Sequence, residues 1–123
     1  MSENSNGKRY DLEERTEQFA GDVAIICNKL LKTISNNEHA KQIVRSSGSV
    51  GANYIEANES FSKKDFIYRV KICRKEAKES AMWLRIMLRT NEGELKEQLE
   101  KLCGEAIELK KIFSAIINTS GDS

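Results

Sequence analysis

Glu76 and Glu79 stand three residues apart on a stretch of helical periodicity. In a helix bundle such a pair could hold a di-metal centre, which also needs Glu-x-x-His on two helices and two further carboxylates. The chain has one histidine, His39, and no Glu-x-x-His, so neither a metal nor a cofactor is expected. Nucleophilic catalysis is equally poorly served, because a Ser or Cys needs a neighbouring base and His39, read as a solvated turn residue, would have to serve every candidate. Cys27, Cys73 and Cys103 lack Cys-x-x-Cys spacing and fall on or beside apolar stripes, which predicts buried reduced thiols. Gly48 and Gly51 follow no strand and lack the Lys of a phosphate-binding loop. No catalytic residue is assigned, and the expectation is a protein that is not an enzyme.

A second pattern concerns charge. Lys64, Lys71, Lys78 and Arg85 recur every seven residues, and Arg74, Lys75 and Arg89 share their flank. From Ser62 to Thr90 there are nine basic and three acidic residues, a local +6 that leaves −5 for the rest of a chain whose total is +1. At 1.5 Å rise per residue, cations seven apart form a row with steps of roughly 10 Å, which could follow a phosphate backbone. The competing reading is a paired or solvated face, neutralised by Glu13, Glu17, Glu97, Glu100 and Glu108. A third group, Arg15, Arg45, Ser46, Ser49, Asn53, Glu56, Glu76 and Glu79, is expected to form a polar network that fixes helix register or subunit orientation.

These residues need helices to position them. The chain has no proline, is 39% hydrophobic and 32% charged, and its 123 residues allow one core. Asp11, with Glu14 in capping-box spacing, is expected to open a first helix whose apolar face is Leu12, Phe19, Val23, Ile26, Leu30 and Ile34. A break is expected at Ser35–Asn37, then a second helix from about residue 38 to 58 with Ala40, Ile43, Ser47, Val50, Gly51 and Tyr54 inward. Its small residues suggest close approach of a neighbouring helix. Ser62 and Asn91 are expected to cap the third and fourth helices. Short connections join antiparallel neighbours, so the predicted fold is an all-α, antiparallel up-and-down four-helix bundle over residues 10–118. Residues 1–9 are expected to form a tail and 119–123 a frayed end. The N-terminal segment lacks the apolar core of a signal peptide, and no apolar run approaches the roughly 20 residues that span a bilayer. That predicts a cytoplasmic protein without membrane contact.

The third helix has apolar residues on two faces. Phe66, Val70, Cys73, Ala77, Ala81, Leu84 and Leu88 line the core, yet Tyr68, Ile72, Trp83 and Ile86 fall on the opposite side with Glu79 among them. An aligned apolar row on the back of an amphipathic helix marks a partner surface, and the first partner to suspect is a second copy of the chain. The alternative is a helix buried all round in a monomer.

The segments YDLEERTEQFA (10–20), RSSGSVGANYIEA (45–57), SKKDFIYRVKIC (62–73) and KEAKESAMWL (75–84) resemble a family of bacterial four-helix-bundle proteins named from reading frames in intervening sequences of 23S ribosomal RNA genes. The family's opening Asp-Leu-x-x-Arg-x-x-x-Phe-Ala falls on Asp11, Leu12, Arg15, Phe19 and Ala20. Two departures are the lack of a proline between Leu31 and Ser35 and Met82 where a tyrosine commonly precedes the tryptophan. The resemblance implies a ring-like homopentamer. It also implies kinship with the accessory protein of diversity-generating retroelements, a basic pentamer that works with a reverse transcriptase and nucleic acid. The expected function is a non-enzymatic homo-oligomeric scaffold that binds RNA or DNA through its third helix, alongside a reverse-transcriptase-like partner. The alternative is a purely structural oligomer whose basic flank is consumed by salt bridges between subunits.

Overall fold

A threonine decides where the first two helices part. In the computed structural model, which describes residues 8–121, α1 runs Lys8–Cys27, α2 Ile34–Asn58, α3 Lys63–Thr90 and α4 Gly93–Thr119. Thr33 is the N-cap of α2, its hydroxyl accepting the Asn36 amide at 3.0 Å. Ser35–Asn37 therefore form the first turn of α2 and are not a break, because short polar side chains suit a helix start as well as a loop. Ile34, expected on the core face of the first helix, is 87% exposed at the start of the second.

Two other expected caps differ. Asp11 lies inside α1, since the helix starts upstream of it, and Lys8 and Arg9 belong to the helix and not to a tail. The rest of the expected tail, residues 1–7, lies outside the described residues, as do 122 and 123. Asn91 caps the end of α3, and Glu92 opens α4 with no side-chain cap bond. Gly93 follows at φ 68°, a conformation that glycine takes without steric cost. Ser62 caps α3 as expected, accepting from the Asp65 amide at 3.1 Å.

The helices stand at the corners of a square, each packing on its two neighbours, with the α1–α4 seam the thinnest. Phe19, Val23, Ile43, Val50, Val70, Leu84, Met87, Leu99, Leu109 and Phe113 fill the centre. Tyr54 and Phe113 meet across the diagonal, ring centroids 5.9 Å apart. Arg15 closes the thin seam with a two-pronged bond to Glu105, at 2.6 and 2.9 Å. At the end holding the α1–α2 and α3–α4 turns, two buried amides clasp each other. Asn36 Nδ2 donates to Asn91 Oδ1 at 3.2 Å, and Asn91 Nδ2 returns to Asn36 Oδ1 at 3.1 Å.

Of the two glycines among the small residues of α2, one marks a close approach. A Cβ on Gly51 would lie 3.0 Å from Thr16 Oγ1 and 3.3 Å from Thr16 Cβ, whereas a Cβ on Gly48 would meet nothing within 4 Å. Thr16 is fully buried, so it cannot move aside cheaply. We expect Gly51→Val to lower stability by about 1–3 kcal/mol through overpacking. Gly104→Ala on α4, where an added Cβ meets nothing within 4 Å, should raise it by up to about 1 kcal/mol. Urea unfolding of the two variants checks both signs.

Candidate nucleic-acid interface

The basic flank lies on the outer side of α3, next to α4. Lys64, Lys71, Lys75, Lys78, Arg85 and Arg89 are exposed, and Arg74 is half-buried. Lys64, Arg74, Lys75, Lys78, Arg85 and Arg89 make no salt bridge to any described residue. The carboxylates expected to neutralise them do not form such pairs. Glu13 accepts from Asn58 at 2.7 Å, Glu108 pairs with Lys111 at 3.9 Å, and Glu17, Glu97 and Glu100 are exposed.

Two of the three acidic residues of α3, Glu76 and Glu79, are turned towards α2. Arg45 on α2 binds both Glu76, at 3.4 Å, and Glu79. Glu76 is buried, so its charge requires this partner. Both carboxylates are thus committed to a guanidinium, and among the described residues no group of three or more His, Cys, Asp or Glu side chains is placed to hold a metal.

The expected polar network is partly assembled. Beside the Arg45 pairs, the Ser46 and Ser80 hydroxyls meet at 2.8 Å, and Asn53 donates to Ser49 while accepting from Arg69 at 3.0 Å. Arg69 and Ser80 were not legible as members, because an Arg in a basic stretch and a Ser among alanines look like surface and filler. Arg15 crosses instead to Glu105 on α4, and Glu56 is exposed.

His39 is a residue of α2, not of a solvated turn, and lies against Trp83 with centroids 5.8 Å apart. The thiols are free. Cys73 is fully buried, and desolvation pushes its pKa up to about 12; the same cause takes Cys27 to about 11. Cys103 is raised too, despite the opposing charge of Arg85. None is a ready thiolate nucleophile.

The back row of α3 divides. Ile72, Trp83 and Ile86 are half-buried within the chain and Glu79 is held by Arg45, whereas Tyr68 is 61% exposed. Arg69 sits over the Tyr68 ring, 6.0 Å from its centroid. The periodicity argument missed a second apolar stripe. Val44, Gly48, Ala52 and Ile55 follow at steps of four, four and three on the outside of α2, all exposed. It also missed Phe61, fully exposed before the Ser62 cap; an aromatic in an otherwise polar turn was the available signal.

The sequence profile of the family described as 23S rRNA-intervening sequence protein matches residues 8–115. Among solved structures, a protein of unknown function of the S23 ribosomal protein family from Bacteroides thetaiotaomicron superposes with a TM-score of 0.74 at 31% identity, covering 85% of this chain and 96% of that one. No curated protein matches. Neither description names an enzymatic activity, and no described helix is long and apolar enough to cross a membrane. Matched over most of its length by both the profile and the solved fold, the chain belongs to the 23S rRNA-intervening sequence protein family.

Proposed function

We propose that this protein is a non-enzymatic, self-associating scaffold that binds RNA or DNA through the outer flank of α3. The observation that carries the reading is that Lys64, Arg74, Lys75, Lys78, Arg85 and Arg89 have no carboxylate partner among the described residues, on a helix whose Glu76 and Glu79 are bound to Arg45. A row of this kind attracts polyanions by releasing their condensed counterions, independently of base sequence. Fluorescence anisotropy with labelled oligonucleotides tests it. Binding should weaken by about 0.7 log units per contact on single strands, and about 0.9 on duplex DNA, for each tenfold rise in salt. Absence of any complex at low salt would replace this reading with the structural-oligomer one.

Self-association is supported by exposed apolar surface on two different faces: the Val44–Ile55 stripe of α2, and Met82 with the half-buried Ile72, Trp83 and Ile86 of α3. A closed ring larger than a dimer joins unlike patches of neighbouring subunits, so two patches suit a ring, the pentamer of the resemblance included. The buried Trp83 Nε1 has no hydrogen-bond partner among the described residues, so Trp83→Phe breaks no hydrogen bond that they make. Trp83→Phe should therefore keep the assembly mass, while Trp83→Ala should lower it. Light scattering checks both, and a wild-type particle of 14.0 kDa at micromolar concentration would refute self-association.

A further inference from the structure

We infer that the nucleic acid taken up here is single-stranded, and that its unpaired bases stack on Phe61 and Tyr68 at the N-terminal end of α3. The inference rests on the reading of α3 as a polyanion-binding surface and gives that surface a polarity. Phe61 is 102% exposed and Tyr68 61%, so neither ring contributes much to the core. The two flank the start of α3, one just before the Ser62 cap and the other in the second helical turn. Between Tyr68 and the end of α4 opens a hollow of about 640 Å³, lined by Lys63, Lys64, Tyr68, Lys71, Ser120 and Gly121.

Lysines for phosphates and an adjacent aromatic face for bases are the two parts of a single-strand site. Arg69 is anchored by Asn53 and sits over the Tyr68 ring, which limits the ring's freedom before any base arrives. Duplex is a poor fit to the same surface. Its bases already stack on each other, and a ring at the helix surface reaches their faces only by unstacking them. The basic row farther along α3, at Lys78 and Arg85, has no exposed aromatic ring beside it among the described residues and takes the backbone of either form. Ring faces and lysines do not read the 2′-hydroxyl, so RNA and DNA single strands of one sequence should bind within a few fold of each other.

The test compares wild type, F61A/Y68A and F61W/Y68W with labelled oligo(dT), oligo(U) and a duplex of equal length. Base–aromatic stacking corresponds to about 5-fold to 150-fold in affinity per stacked base. F61A/Y68A should therefore lose at least tenfold on both single strands and less than twofold on duplex, while F61W/Y68W keeps wild-type affinity. Equal losses on single strands and duplex, or no loss on either, would overturn the stacking assignment while leaving the basic-flank reading intact. Failure of wild type to bind any of the three would instead remove the reading beneath it. Both rings are exposed, so the variants should stay folded and keep the wild-type particle mass. A drop in mass for F61A/Y68A would return Tyr68 to a subunit contact and overturn the proposal.

Discussion

The K78E/R85E protein should keep its helical content and lose nucleic-acid binding by well over an order of magnitude. Both side chains are exposed on the flank, and neither has a carboxylate partner among the described residues, so reversing them breaks no ion pair of the fold. Each phosphate contact on a single strand is worth about 0.7 log units at 0.1 M salt, so loss of two contacts costs about 25-fold. Charge reversal adds repulsion, and the loss should be larger still. The slope of log affinity against log salt should also become shallower by about 1.4 on single strands and about 1.8 on duplex DNA. K78R/R85K should bind like wild type, because an unpaired cation acting on a phosphate need not be either residue. If K78E/R85E binds as tightly as wild type with an unchanged salt slope, this part of α3 does not touch nucleic acid.

The second large effect is expected at the Asn36–Asn91 clasp. Asn36→Leu would leave the Asn91 amide without its buried partner and remove the donor to the Leu31 carbonyl, now met at 3.0 Å. Each buried polar group left unmade costs about 1–3 kcal/mol, so a loss of about 2–4 kcal/mol is expected. That is a large share of the 5–15 kcal/mol that typically holds a small domain. Asn91→Leu should cost a similar amount. N36L/N91L removes both partners at once, and its loss should fall short of the summed single losses by about 1–3 kcal/mol. Denaturant midpoints of the four proteins supply the double-mutant cycle. Additive losses would mean that the two amides do not depend on each other.

Why these asparagines were misread shows where sequence reading stops. The apolar stripes of α1, α2 and α3 were legible because a helix face repeats within a few residues, and Ser62 was legible because its cap partner, Asp65, is three residues away. Asn91 carries the same kind of local signal, yet its side chain is turned towards a residue 55 positions distant. Nothing near it in the chain records that choice. The same limit applies to the flank. The seven-residue spacing of its cations could be read directly, but whether they were paired depended on the reach of Arg45 and Glu13 across helices and on Glu108 turning to Lys111 within α4. Gly48 and Gly51 look alike in sequence, and only the position of Thr16 separates a packing requirement from an open surface.

The square arrangement has a further consequence for how the molecule assembles itself. Three of its four seams join helices consecutive in sequence, and the one that joins distant helices, α1 to α4, is the thinnest. Most native contacts can therefore form through small loops whose closure entropy is slight. A chain of this topology belongs among fast folders, with the hairpins α2–α3 and α3–α4 able to form early and the docking of α1 as the closing step. In native-state fluctuations the order reverses. The helix secured to α4 by few contacts and by Arg15–Glu105 is the one whose amides should exchange first, while α3, held on both sides, stays protected until the whole bundle opens.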